Sequence, residues 1–150
     1  MTTQKMPSLP VRIVVSILAL ALPLIIAAVA LGGIVQPTYF PELTPETEAI
    51  GLLFGGMAVM GILIALFYPY LRIETGPDWF MNALPVAVLA GLIIFFATHM
   101  IQAGYIQISA TGWLLEGLYD SVAPMVSIMA LAWLTNRQNK NQELDHAATK

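Results

Sequence analysis

His99, Glu116 and Asp120 are ionisable residues that fall inside stretches otherwise free of charge. Inserting an acid at the centre of a helix in hydrocarbon costs roughly 2.5–3.5 kcal/mol, so acids kept there mark a candidate site. Glu116 and Asp120 stand four residues apart and share one helical face, continued by Pro124 and Ser127. His99 and Gln102, with Thr98 beside them, share a face near the end of the preceding stretch. The connection between the two stretches is short, so antiparallel helices would carry these groups to comparable depth. At about 1.5 Å per residue, Asp120 lies roughly 12 Å inward from Gly112 and His99 about 9 Å inward from Tyr105.

If the two faces meet, the imidazole pairs with a carboxylate, which is the outline of a proton-linked or cation-binding site. Two other readings stand beside it. Glu116 could sit at headgroup level, where a helix N-terminus favours negative charge, leaving His99 and Asp120 as a pair that orders the helices. A membrane enzyme acting on lipid or quinone would instead need an outer-leaflet pocket lined by His99, Trp113 and Glu116. One imidazole and two carboxylates lack the second nitrogen ligand of a strong metal site, and His146 lies in a polar tail and cannot complete it. No residue is assigned as catalytic and no cofactor is implied. The chain has no cysteine, which excludes thiolate catalysis, Cys-based zinc sites and the cysteine-dependent quinone-linked oxidoreductases of small four-helix fold. Phosphate-loop, HExxH, GxSxG and GxGxxG motifs are absent as well.

The elements that must position these residues follow from composition. Of 150 residues, 58% are hydrophobic and 10% charged, against about 25% charged in an ordinary soluble domain. The chain is therefore expected to be an all-α, integral membrane four-helix bundle forming a single transmembrane domain. A hydrocarbon core about 30 Å thick takes about 20 apolar residues, and four such runs occur, at about 13–35, 50–71, 83–104 and 112–134. All are too long, and too apolar on every side, for barrel strands. Residues 135–150 form a polar tail, expected as a frayed or disordered end. Lys5 and Arg12 precede the first run, Arg72 closes the second, and Arg137, Lys140 and Lys150 follow the fourth. Lys and Arg are retained on the cytoplasmic side, so both termini are expected there. The net charge of −3 and the lack of a basic stripe give no support to nucleic-acid binding.

Some details stay open. The first run has a rival reading as a cleaved signal peptide, with Ala28-Val29-Ala30 as the small-residue site, although the apolar run continues past it to Val35. The loop 36–49 reads as extended and solvated, with Thr44 as a helix N-cap before Pro45. Tyr39, Phe40, Tyr68, Tyr70, Trp79, Phe80, Tyr105 and Trp113 suit the headgroup level.

Lipid supplies no hydrophobic force between helices, so small residues that let backbones approach mark the packing faces. They are Gly51-xxx-Gly55 and Gly61-xxx-Ala65 in the second run, and Ala83-xxx-Ala87-xxx-Gly91 in the third. Such runs serve packing within the chain or self-association into a homo-oligomer. Pro23, Pro85 and Pro124 lie inside runs, and each removes one helix hydrogen bond. In size, span order and the positions of GLLFGGMAVMG, FYPYL and WLLEGLYDS, the chain resembles the small bacterial four-span membrane proteins of unknown function. The resemblance implies a multi-pass protein of the inner membrane and transfers no activity to any residue. The leading expectation is a structural or partner-binding role, with the lipid bilayer and a membrane protein as partners. A small proton- or cation-coupled transporter or channel component using His99, Gln102, Glu116 and Asp120 is the alternative.

Overall fold

The computed structural model describes residues 5–27, 50–103 and 110–148. Among them every regular element is helical. Helix α1 spans Leu9–Ala27, α2 Ile50–Phe67, α3 Trp79–Gly91, α4 Ala97–Ala103, α5 Ala110–Asp120 and α6 Val122–Ala148. A 3₁₀ turn, Tyr68–Leu71, finishes α2, and a π-helical turn, Leu92–Phe96, joins α3 to α4. Four helical stretches are long and apolar enough to cross a membrane: Leu9–Ile26, Phe54–Leu71, Trp79–Ile101 and Glu116–Ala147. The loop 36–49, the Ala28-Val29-Ala30 segment, Tyr39, Phe40 and Tyr105 lie outside the described residues.

Each helix buries one narrow stripe. In α2 and the turn that finishes it the buried positions include Met57, Gly61, Ile64, Ala65 and Tyr68, a spacing that traces one face. Helix α1 contributes Ser16, Leu20 and Leu24, α3 contributes Ala83, Ala87 and Gly91, and α6 contributes Ser127, Leu131 and Thr135. Small and hydroxyl-bearing side chains thus fill much of the interior. Large apolar ones such as Val14, Leu18, Phe54, Val59, Leu89 and Ile93 face outward. An apolar exterior of that extent is unstable in water and suits hydrocarbon.

Helix α1 packs on α2 and α6, and α6 also packs on α3. Glycine decides how closely. A Cβ on Gly61 would stand 3.0 Å from the Ile17 backbone, and one on Gly91 would meet the Ser121 carbonyl and the Met125 side chain. Gly51 and Gly55, expected at a packing face, are exposed, and an added Cβ meets nothing within 4 Å. Gly61 differs from them because Ile17 of α1 lies directly against it.

Three boundaries depart from expectation. Helix α1 starts at Leu9 instead of near Ile13, taking Pro10 into its first turn, where a missing N–H costs nothing. The last span is broken at Ser121, between α5 and α6. Pro124 is the cause: its ring opposes the carbonyl four residues earlier, which belongs to Asp120. The polar tail is helical to Ala148 instead of frayed. Two asparagines in it hold neighbouring segments, since Asn136 Oδ1 accepts from the Gly76 N–H at 2.7 Å and Asn139 Oδ1 from the Lys5 N–H at 3.0 Å. Arg137 also lies over the Trp133 ring at 5.4 Å, one turn back.

Candidate functional site

The candidate site lies where α4 meets α5, beside the break in the last span. The π-helical turn Leu92–Phe96 sits just before His99. Such a turn inserts one extra residue into the helix and rotates everything after it, and it recurs at functional sites. Leaving it disturbs the carbonyl ladder, and two side chains bond back to it. The Thr98 hydroxyl donates to Ile94 O at 2.7 Å, and His99 Nδ1 lies 3.0 Å from Phe95 O. A carbonyl only accepts, so Nδ1 carries the proton in that bond. Nε2 is thereby left to face the other way.

There it meets Asp120, with His99 Nε2 and Asp120 Oδ2 at 4.0 Å. The imidazole is buried and the carboxylate mostly so, at 10% and 21% side-chain exposure. Their separation exceeds a hydrogen bond and sits at the limit of an ion pair, so a small rotation of either side chain opens or closes the contact. One proton between the two atoms satisfies both: it stands either on Nε2, facing a carboxylate, or on the carboxyl, facing a nitrogen lone pair. With no proton, a lone pair confronts a negative charge.

Gly117 sets this approach. A Cβ there would meet His99 Cβ, Cγ and Nδ1. The absence of a side chain lets the ring lie on the backbone of α5, one turn before Asp120. Just beyond, Ser121 donates its hydroxyl proton to Leu118 O at 2.6 Å. This bond holds the chain at the point where Pro124 interrupts the helix. Gly91 lies against the Ser121 carbonyl, so α3 braces the same break from the far side.

Of the four polar residues singled out, His99 and Asp120 face each other. Glu116 is half-buried on α5, one turn before Asp120. Gln102 belongs to α4, and its side chain, like that of Trp113, lies outside the described residues. No group of three His, Asp or Glu side chains able to hold a metal occurs among the described residues. Three participants escaped the sequence reading: Gly117, the Phe95 carbonyl and the π turn. A glycine inside the first turns of a helix costs about 1 kcal/mol against alanine and was the available signal for the first. Backbone acceptors carry no sequence mark.

No family model matches the chain, and neither a curated protein nor a solved structure does.

Proposed function

We propose that this is a small multi-pass protein of the bacterial inner membrane, with both termini cytoplasmic, whose His99–Asp120 pair takes up and releases one proton as a proton- or cation-coupled transport component. The observation that carries this reading is the 4.0 Å approach of Nε2 to Oδ2 while Nδ1 is committed to Phe95 O. A fixed Nδ1–H leaves a single atom on the ring to exchange a proton, and it faces an acid on a neighbouring helix. Membrane-embedded acids and histidines form proton relays in pumps and transporters. The gathering of Lys5, Arg12, Arg72, Arg137 and Lys140 toward one end supports the orientation. The test is proton flux in liposomes loaded with a pH-sensitive dye. Wild type accelerates decay of an imposed gradient, while Asp120→Asn and His99→Gln return it to the rate of empty liposomes. Wild-type liposomes that pass no ion contradict the proposal.

A structural or partner-binding role is the second reading, favoured by one observation. Gly117 lets the His99 ring lie on α5, and Gly91 lets α3 approach the Ser121 carbonyl, so the contacts around the pair also latch helices. In that case Asp120→Asn lowers thermal stability and abolishes co-purification with a membrane partner, and no flux exists to lose.

A further inference from the structure

The face on which His99 stands is set by one residue of backbone. At about 100° per residue, the buried stripe of α3, formed by Ala83, Ala87 and Gly91, occupies a sector about 80° wide. An unbroken α-helix running on from Ala83 would turn His99 about 120° away from the middle of that sector and set Thr98 about 20° from it. The π-helical turn reverses the two. The Ala97 N–H bonds to Leu92 O, five residues back instead of four, and the extra residue taken up there rotates α4 by about 100°. His99 accordingly lies buried against Gly117, and Thr98 points outward.

Both residues that these two registers offer to α5 are polar, while Ala97 and Met100 on either side of them are not. With the π turn in place the Thr98 hydroxyl is closed on Ile94 O, which suits a side chain facing hydrocarbon. In the α register the same hydroxyl is a donor on the side of Asp120. The segment that must turn is short, Ala97–Ala103, and it packs on α5. Gly117 presents no side chain to obstruct the exchange. The ionisable groups of α5 are Glu116, Tyr119 and Asp120, and the π turn has none.

We infer that Leu92–Phe96 is a register switch: as a π turn it sets His99 against Asp120, and rewound to α-helix it turns α4 by about 100° and sets Thr98 there instead. The inference rests on the proton-site reading and supplies it with a moving part. While one proton is shared, imidazole and carboxyl attract and hold the π register. Once that proton leaves, a nitrogen lone pair faces a carboxylate, and the Thr98 hydroxyl becomes the better partner. On rewinding, the Ala97 N–H passes from Leu92 O to Ile93 O, so its bond is exchanged and not lost.

Pulsed electron paramagnetic resonance in lipid bilayers tests the switch, with nitroxide labels on Ile26→Cys and Met100→Cys, both at exposed positions. Met100 faces away from α5 in either register, so its label selects neither. A turn of about 100° carries even a Cα about 3.5 Å, and a label farther. With His99 and Thr98 intact, two distance populations about 4 Å or more apart are expected, exchanging weight between acid and alkaline buffer. Thr98→Val removes the hydroxyl and is expected to cut the alkaline population about threefold or more. Deleting Ile93 removes the extra residue and leaves a continuous α-helix with His99 still against Asp120, so one distance is expected at every pH. A single distance that ignores pH in the chain with His99 and Thr98 intact overturns the switch, as does a second population that survives both Thr98→Val and the deletion. Two populations in a protein that passes no proton support the switch and remove the transport reading, whereas proton flux with a single distance does the reverse.

Discussion

Gly117 lies directly beneath the imidazole of His99, close enough that no other residue fits at that position. The geometry of the acid–histidine pair therefore depends on a residue with no side chain. Gly117→Ala forces either the ring or α5 to shift, and overpacking of this kind costs about 1–3 kcal/mol. The expected result is a lower unfolding temperature in detergent, together with a flux defect in liposomes as large as that of His99→Gln. Unchanged melting and unchanged flux would place the ring elsewhere.

Gly61 and Gly91 belong to the same class of contact and Gly51 and Gly55 do not. Gly61→Val and Gly91→Val are expected to destabilise by about 1–3 kcal/mol, because the opposing atoms belong to the Ile17 and Ser121 backbones. Gly51→Ala and Gly55→Ala are expected to cost nothing and to stabilise by up to about 1 kcal/mol, because the added methyl meets no opposing atom and alanine favours the helix. Thermal melts of the four variants in one detergent make the comparison. Equal losses at all four would mean that the first half of α2 is packed as tightly as the second half.

The same glycines indicate how much was legible in advance. Apolar run length placed helices close to where they occur, since a residue that cannot leave hydrocarbon has little choice of location. Small-residue spacing named Gly61 and Gly91, but it also named Gly51 and Gly55, because the pattern records which face permits approach and not which neighbour arrives. His99 and Asp120 were legible as charges in apolar runs. Their mutual approach required the π turn at Leu92–Phe96, a backbone feature that the apolar residues of that turn do not distinguish from an ordinary helix. The tail misled for a related reason. Its polarity argued for fraying, whereas Asn136 and Asn139 bind backbone N–H groups more than fifty residues away in sequence.

That tail contact gives a third expectation. The Gly76 N–H donates to Asn136, and Gly76 itself holds φ at 126°, a conformation that other residues rarely adopt. Asn136→Ala removes the acceptor and is expected to cost about 1 kcal/mol, the net value of one such bond. Hydrogen exchange reads it locally: the Gly76 amide should exchange about 5- to 10-fold faster, while amides in the middle of α6 keep their protection. No local change at Gly76 would show that the loop is held by other means.

Orientation is accessible because the chain has no cysteine of its own. Single cysteines at Thr75, in the turn between α2 and α3, and at Asn141, in α6, are expected to react with a membrane-impermeant maleimide from the cytoplasmic side only. A cysteine at Glu46 is expected to react from the other side. Labelling of Thr75→Cys and Asn141→Cys from opposite faces would remove the basis for both termini lying in the cytoplasm.

The most direct measurement concerns the proton itself. Infrared difference spectra recorded across a pH titration of the protein in lipid bilayers resolve a protonated carboxyl as a separate carbonyl stretch. The account predicts that one of these bands is lost in Asp120→Asn and that its titration midpoint moves when His99 is replaced by Gln. A band at Asp120 that titrates identically with and without the imidazole would contradict the sharing of one proton between these two residues.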